Sequence, residues 1–337
     1  MKVKCSTVRI DRMREHLAHA SRPEWKFFVD TCLLVTGASG FIGDHCIRAA
    51  SHDFERIVAV SRHPRPASDK LEWVTCDLLE GGTTELIDSI KPTHLLHLAW
   101  ETSPDKYWTS ELNQDWLKAS LTLIEAFHNR GGRRLVVAGS CAEYSWDHGI
   151  CREFDTPRPS NTTYAQCKSA LFEKLEASSL PYSWARLFFV FGPGEPRSKL
   201  IPYIITQLLQ SRRAHCKSGN QRRDFVFVKD VAKILVHLLK SDVTGPINVG
   251  SGNAYQIREV VSRIADQLRR GDLLEFSSAD NLPSNLVQAD IDRLITKVGI
   301  APGYELEKAL TETITWWSDR LAVESQAVGD EPHANDH

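Results

Sequence analysis

The feature that most constrains this chain is an apolar run that leads directly into three evenly spaced glycines. The run Cys32–Thr36 is followed by Gly37, Gly40 and Gly43, a G-x-x-G-x-x-G pattern. A strand, a tight glycine turn and a helix N-terminus in this order form a site for a dinucleotide pyrophosphate, because free backbone N–H groups and the helix dipole face the anion. A glycine-rich turn without a ligand is the alternative. The contacts expected from this loop come from Gly37, Ser39, Gly40, Phe41, Ile42 and Gly43.

Strand-like and helical patterns alternate beyond this loop. Apolar runs occur at 57–60, 71–76, 94–98, 135–138 and 184–188, and helical stretches at 40–50, 113–128 and 163–177. This alternation predicts an α/β fold, a doubly wound parallel sheet of the Rossmann type with helices on both faces. The rhythm loosens after residue 188, which predicts a smaller mixed C-terminal lobe.

The same patterns suggest a division of the chain. We expect an N-terminal extension at 1–30, with a short helix at 11–20, and a polar, disordered tail at 323–337. Residues 31–188 plus 224–250 are predicted to form the dinucleotide-binding Rossmann domain, and 189–223 plus 251–322 the substrate-binding lobe.

Composition excludes several classes of protein. The 337 residues contain 41 Lys plus Arg and 43 Asp plus Glu, a formal net charge of -2, which argues against a nucleic-acid partner held by a basic face. The apolar runs are too short to cross a membrane, and no signal peptide is evident, so a cytoplasmic location is expected. The eight cysteines include no C-x-x-C pair. They are therefore expected to be reduced, mostly buried thiols, with no metal site.

A tyrosine and a lysine share one face of a predicted helix. Tyr164 and Lys168 are four residues apart in Y-A-Q-C-K, within the stretch 163–177. A nearby ammonium group favours the phenolate and lowers the pKa of a tyrosine. The pair can then exchange a proton with a hydroxyl or carbonyl oxygen while hydride moves to or from a nicotinamide.

The end of the second predicted strand bears on the choice of nicotinamide cofactor. Val60-Ser61-Arg62 contains no acidic residue. A carboxylate there would hold the ribose 2′-OH of NAD, whereas Arg62 can pair with the 2′-phosphate of NADP. The sequence favours NADP(H). NAD(H) is the alternative, with Arg62 a solvated loop residue.

These motifs together resemble the extended branch of the short-chain dehydrogenase/reductase superfamily, the NAD-dependent epimerase/dehydratase family. The wording T-G-A-S-G-F-I-G, the Y-x-x-x-K pair, F-G-P at 191–193 and the R-D-F stretch within 219–232 carry the resemblance, which covers about residues 31–318. It implies a nucleotide-sugar substrate and a homodimer through the helices at 113–128 and 163–177. It also implies Ser140 as the catalytic hydroxyl, with Cys141 the alternative, and Asn113 as a support for Lys168 through water.

The resemblance implies further contacts. Asp77 and Leu78 would touch adenine. Leu98, Ala99 and Trp100 would line the cofactor, with Tyr164 and Lys168. The implied substrate contacts are Trp100, Cys141, Glu143, Lys199, Leu200 and Arg223. Trp100 could instead be a core residue, and Arg223 could instead pair with Asp224 or Asp230. Phe189 departs from the family, which often has Asn there.

Two positions limit which reactions of this family the chain can catalyse. Cys141 and Ala142 stand where sugar 4,6-dehydratases of this branch carry an Asp and a Glu, and Ala142 cannot move a proton. The resemblance then leaves 4-keto reduction or 4-epimerisation. Because Arg62 favours NADPH, the sequence predicts an enzyme that reduces the C4 ketone of a nucleotide-linked 4-keto-6-deoxyhexose. An epimerase with tightly bound NAD(P) is the first alternative, and a non-catalytic NADP-binding regulator the second.

Overall fold

The computed structural model describes residues 31–68, 70–103, 106–217, 219–277 and 285–329. The strands are β1 (Cys32–Thr36), β2 (Arg56–Ser61), β3 (Leu71–Thr75), β4 (His94–His97), β5 (Arg134–Ser140), β6 (Ile150–Cys151), β7 (Tyr182–Leu187), β8 (Phe189–Phe191), β9 (Ala214–Cys216), β10 (Arg222–Phe227), β11 (Gly245–Val249), β12 (Ala254–Gln256), β13 (Leu274–Phe276) and β14 (Leu286–Ala289). The helices are α1 (Phe41–Ala50), α2 (Thr83–Ile90), α3 (Leu112–Asn129), α4 (Thr163–Glu176), α5 (Leu200–Leu209), α6 (Val228–Lys240), α7 (Ile257–Leu268) and α8 (Leu306–Gly329).

A seven-stranded parallel sheet forms the centre, in the order β11-β7-β5-β4-β1-β2-β3. Its inner strands, such as β1 and β4, are buried on both faces because helices cover both. One core joins α2, α3 and α4 to the sheet, and the other joins α1 and α6 to it. This confirms the predicted doubly wound Rossmann architecture. The strand order reverses next to β1, so the carboxyl ends of β1 and β4 flank the crevice where ligands bind such sheets.

A smaller sheet in the order β12-β10-β14-β6, with β8 also paired to β10, forms the second layer. Helices α5, α7 and α8 pack into a separate apolar core beside it. The predicted boundary differs here. Residues 224–227 were expected in the Rossmann domain, but they belong to β10 and the smaller sheet, because their partners β8, β12 and β14 come from distant parts of the chain.

The C-terminal helix also differs from expectation. We predicted disorder from Val323, but α8 continues to Gly329. Glu324 is held by Arg197 at 2.7 Å and by Arg320 at 3.0 Å, so ion pairs rather than apolar burial carry the helix past Trp317. Residues 330–337, the extension at 1–30 and its expected helix lie outside the described residues.

Candidate active site

The glycine loop between β1 and α1 forms an open cradle. Gly37 has φ +65°, and a Cβ on it would meet Ala99 N at 2.7 Å, while a Cβ on Gly43 would collide with the Gly37 carbonyl. Gly40 is the N-cap of α1, and no side chain caps the helix. Ser39 and Gly40 are exposed. The N–H groups at this helix end are therefore available to an anion, and the cradle fits the pyrophosphate of a dinucleotide.

A buried hydrogen-bond chain fixes the strand ends below the cradle. Thr36 Oγ1 lies 2.7 Å from His97 Nδ1, and His97 Nε2 lies 2.8 Å from Ser120 Oγ. Ala99 N–H donates to Thr36 Oγ1, and Ser120 donates to the Trp116 carbonyl. Burial lowers the pKa of His97 to about 3, so the ring is neutral. No pattern in the sequence marks this series of hydrogen bonds, although Thr36 and His97 end neighbouring strands of the predicted sheet.

Ser140, Tyr164 and Lys168 come together where β5 ends against α4. The hydroxyls of Ser140 and Tyr164 are hydrogen-bonded. Lys168 Nζ lies 5.9 Å from the Tyr164 ring centroid and donates to the Ala138 carbonyl at 2.9 Å. The structure therefore brings the predicted serine, tyrosine and lysine together, and their catalytic roles stay predictions.

The protonation state of the pair differs from expectation. The sequence predicted that Lys168 would lower the pKa of Tyr164, but burial raises that pKa well above its ordinary value, with the Ser140 hydrogen bond opposing it. Burial also lowers the pKa of Lys168 to about 7, with the charge of Glu143 opposing the change. Tyr164 is thus a neutral phenol near pH 7, the form that can give a proton away.

The sequence predicts Glu143 as a substrate contact, but the structure places this side chain in the core. It is fully buried and forms an ion pair with Arg186 at 2.7 Å. Its Oε1 accepts the Ser140 N–H at 2.7 Å, and Ser140 Oγ accepts the Ala142 N–H at 3.1 Å, which together make a capping box. The signal was available in the sequence, since Ser140-Cys141-Ala142-Glu143 reads S-x-x-E. Glu143 therefore orients Ser140 from within the core.

Cys141 lies in an apolar cluster directly below the site. Its side chain is 5% exposed and packs with Tyr144, Cys151 and Phe188. Burial raises the pKa of the thiol well above its usual value, so it is neutral. The Cys141 carbonyl accepts the Trp146 indole N–H at 2.9 Å, which fixes the ring above the cluster. A substrate contact from the Cys141 side chain stays a prediction.

Half-buried aromatic rings line the space beside Tyr164, and we call Tyr107, Trp108, Trp146 and Phe189 the aromatic wall. Tyr107 and Trp108 pack edge-on against Tyr164, with ring centroids 5.0 Å and 6.0 Å away. Trp108 lies 6.4 Å from Trp146, which lies 6.0 Å from Phe189. Phe189, the residue that departs from the family pattern, is part of this wall.

Two cations sit on the wall. The Arg223 guanidinium lies 5.2 Å from the Trp146 centroid and 5.5 Å from that of Phe189. Lys199 Nζ lies 5.1 Å from the Tyr107 centroid, and Leu200 begins α5 beside it.

The alternative pairing of Arg223 with neighbouring carboxylates does not occur. Arg223 Nη1 donates to carbonyl oxygens of Arg222 and Asn285. Asp224 instead accepts from Ser251, Gly252 and Ala289, and Asp230 accepts from the Tyr304 N–H. The charge of Arg223 is therefore not neutralised by either aspartate.

Trp100 and Asn113 are joined within the core. Trp100 is 8% exposed, and its indole N–H donates to Asn113 Oδ1 at 2.8 Å. Asn113 Nδ2 donates to the carbonyls of Tyr107 and Ser110. The Asn113 amide thus contacts the Trp100 indole and the carbonyls of Tyr107 and Ser110, and its expected link to Lys168 through water stays a prediction.

The residues predicted at the adenosine end lie beyond β2 and β3. Arg62 is exposed and directly follows β2. Asp77 accepts the Leu79 N–H at 3.0 Å in a local turn, and Leu78 is buried. The structure places Leu98 and Ala99 after β4, where Ala99 packs on Gly37. Their contacts with a cofactor stay predictions.

Residues 33–250 match the protein-family model described as the NAD dependent epimerase/dehydratase family. The match covers more than half of the chain and includes the cradle, Ser140, Tyr164 and Lys168. The chain belongs to this family. The resemblance to extended short-chain dehydrogenases/reductases is thereby confirmed at the level of the family.

Other members of the epimerase/dehydratase family match along nearly their whole length. CDP-abequose synthase of Salmonella muenchen is 20% identical over 85% of this chain and 98% of its own. The structure of UDP-N-acetylglucosamine 4-epimerase from Methanobrevibacter ruminantium M1, in complex with UDP-N-acetylmuramic acid, is 26% identical, with TM-score 0.78 over 87% of this chain and 100% of that one. MoeE5 in complex with UDP-glucose and NAD is 27% identical, with TM-score 0.76 over 86% and 99%.

Within the described ranges, no group of three or more His, Cys, Asp or Glu residues could hold a metal ion. No helix in the described part of the chain is long and apolar enough to span a membrane. The described cysteines are free thiols, and all but the half-buried Cys76 are buried.

Proposed function

We propose that this protein reduces the C4 ketone of a nucleotide-linked 4-keto-6-deoxyhexose with NADPH. The observation that carries the proposal is Tyr164, a neutral phenol bonded to Ser140 and edged by the aromatic wall. Reduction of a ketone needs a proton donor at its oxygen, and a phenol with a raised pKa is in the donating form. Ala142 leaves no proton-transfer group at the place where dehydratases carry one.

The cofactor would occupy the cradle. Gly37, Gly40 and the N-terminus of α1 would hold the pyrophosphate, and the exposed Arg62 would pair with a 2′-phosphate. When bound, the nicotinamide supplies hydride to the ketone carbon. The match to NAD-bound MoeE5 supports a nicotinamide dinucleotide, and Arg62 is the reason for preferring the phosphorylated form.

The substrate would lie between the wall and its cations. Aromatic faces pack well on the apolar faces of a sugar, and a 6-deoxy sugar presents a methyl group in place of a hydroxyl. Arg223 and Lys199 would complement the negative diphosphate. The similarity to a CDP-abequose synthase agrees with a deoxysugar nucleotide. In this proposal the smaller lobe, which carries both cations, is the substrate-binding lobe.

The catalytic side chains have separate roles. Tyr164 protonates the C4 oxygen, and Ser140 holds that oxygen and the phenol together. Lys168 supplies a positive charge that stabilises the phenolate left after proton transfer. The retained Tyr164 and Lys168 argue against a non-catalytic regulator. A dimer through α3 and α4 stays a prediction, tested by light scattering during size-exclusion chromatography.

The test is NADPH oxidation with 4-keto-6-deoxyhexoses generated in place by a dehydratase, using CDP-, UDP-, dTDP- and GDP-linked sugars, with NADH in parallel. One NADPH consumed per sugar, with a 6-deoxyhexose as product, supports the reductase. An epimerase returns its hydride and consumes none. Interconversion of C4 epimers without net loss of NADPH would replace the reductase with the epimerase.

A further inference from the structure

Lys168 is a buried cation, and its ammonium group lies over the face of an aromatic ring. Its side chain is 3% exposed, and Nζ lies 3.6 Å from the centroid of the Trp100 ring. Its Nζ donates a hydrogen bond to the Ala138 carbonyl at 2.9 Å. Within the described residues it has no ion pair, because the nearby Glu143 is committed to Arg186. A desolvated ammonium over an indole is the arrangement in which cation–π attraction is strongest.

The indole cannot turn away from Lys168. Trp100 Nε1 donates to Asn113 Oδ1 at 2.8 Å, and both side chains are buried. Asn113 Nδ2 donates to the carbonyls of Tyr107 at 2.7 Å and Ser110 at 2.8 Å. Flipping the amide would set its NH2 group against the indole N–H and its oxygen against two carbonyls. The start of α3 thus locks the plane of the ring.

The same amide reaches both halves of the catalytic pair. Through Trp100 it determines the surface on which the Lys168 ammonium rests. Through the Tyr107 carbonyl it anchors the segment whose ring packs edge-on against Tyr164 at 5.0 Å. Asn113 therefore acts on Lys168 by way of the Trp100 ring.

We propose that Trp100 is a positioning residue that holds Lys168 in its charged form over the indole face, with Asn113 fixing the indole. A tryptophan that merely filled space would leave the acid–base behaviour of Lys168 unchanged when replaced by another apolar residue. A tryptophan that stabilises the ammonium must favour its protonated form. The consequence for turnover rests on the proposed role of Lys168, whereas the acid–base consequence does not.

Lys168 titrates in a pH range that differs from those of the neighbouring groups whose pKa is shifted. Glu143 faces it from the turn after β5, His97 from β4, and Tyr164 and Cys167 from its own helix. The pKa of His97 is lowered to about 3, and those of Tyr164 and Cys167 are raised. Burial brings the pKa of Lys168 itself to about 7.

The experiment is an NMR titration of the full chain, labelled with ¹³C at the lysine Cε, with the Lys168 signal assigned by Lys168→Met. Trp100→Leu is expected to lower the Lys168 pKa by about one pH unit. Trp100→Phe keeps a weaker, untethered aromatic face, so its Lys168 pKa should fall between those of the wild type and Trp100→Leu. Trp73→Leu is the matched control. Trp73 lies on β3, distant in the fold from Lys168, and its ring centroid is 5.2 Å from the Arg65 guanidinium.

An unchanged Lys168 pKa in folded Trp100→Leu would overturn the proposal, and so would a Trp100→Phe value equal to that of a folded Trp100→Leu. If Trp100→Leu does not fold, the more conservative Trp100→Phe decides, since a lowered pKa supports the proposal and an unchanged one refutes it. The titration needs no substrate or cofactor. A protein that fails to oxidise NADPH but shows these shifts would refute the proposed function and leave this inference standing.

Discussion

Tyr164 has a proposed role in proton transfer, and its ring packs among other aromatic rings. Removing the hydroxyl alone therefore tests the proposed role without disturbing the packing. Tyr164→Phe removes one oxygen and leaves the ring contacts with Tyr107 and Trp108 in place. We expect kcat for the ketone substrate to fall by about 10²–10⁴-fold, the usual contribution of a positioned proton donor. The variant should keep its circular dichroism spectrum and its Kd for NADP⁺. Full activity in Tyr164→Phe would remove Tyr164 from proton transfer.

Glu195 offers a second test, in the loop between β8 and α5. It is 8% exposed, and its Oε2 has no hydrogen-bond partner among the described residues. Burial raises its pKa from 4.5 to about 8. Between those values the folded state holds a proton that the unfolded state has lost. The buried carboxyl therefore destabilises the folded state as pH rises from 4.5 to 8, by at most about 1.4 kcal/mol per pH unit.

Glu195→Gln removes this dependence. We expect its free energy of unfolding, measured with urea, to match the wild type at about pH 4, below the unfolded-state pKa, and to exceed it increasingly up to pH 8. Glu85→Gln, at an exposed position in α2, is the control, because its side chain carries no burial penalty that the substitution could relieve. A difference between Glu195→Gln and the wild type that does not vary with pH would contradict the prediction.

The residues proposed for the active site could be predicted individually, but their surroundings could not. Gly37, Tyr164 and Lys168 carry spacings that arise from local geometry, so one sequence suffices to find them. The aromatic wall joins residues from three separate segments, and no local pattern in the sequence marks their contact. Glu143 shows the opposite error, because a capping signal four residues long was present and was interpreted as a substrate contact.

At the scale of elements, predictability followed the length and burial of each segment. The inner strands of the large sheet are continuous apolar runs, and the helix predicted at 163–177 is observed as Thr163–Glu176. The strands β6, β8, β12 and β14 have two to four residues and pair with partners far away in the chain, so they carry no periodic signal. The end of α8 was missed because ion pairs support it.

The joint between the two sheets depends on Asp224 of β10. Its carboxylate accepts the N–H groups of Ser251 and Gly252 after β11 and of Ala289 at the end of β14, as well as the Ser251 hydroxyl. Asp224→Asn sets an NH2 group against at least one of these donors. Leaving one or two buried donors unpaired should lower the free energy of unfolding by about 2–4 kcal/mol.

The control for this joint is Asp230→Asn in the first turn of α6. Asp230 accepts from the Tyr304 N–H, a bond that the oxygen of an asparagine can keep. We expect a loss of about 1 kcal/mol or less from the weaker interaction with the helix dipole. Urea unfolding of both variants measures the difference. Equal losses would show that the bonds of Asp224 do not couple the sheets.

At the scale of the whole molecule, cofactor binding and folding are linked, because the cradle is built from β1, α1 and the end of β4 and exists only in the folded chain. NADP⁺ at about 100 times its Kd should raise the free energy of unfolding by about 2.7 kcal/mol, seen as a higher Tm. Arg62→Ala removes the cation proposed to pair with the 2′-phosphate, an interaction of about 1.5–3 kcal/mol. It should therefore lose most of the NADP⁺ shift and keep the NAD⁺ shift.

Arg65→Ala is the matched control, since Arg65 is also exposed after β2 but lies over the ring of Trp73. Its shifts with both nucleotides should equal those of the wild type. If Arg62→Ala reduced both shifts equally, Arg62 would be acting on the common part of the dinucleotide or on the fold. If it changed neither, the preference for NADP would lose its basis in the sequence, and with it the main argument for reduction over epimerisation.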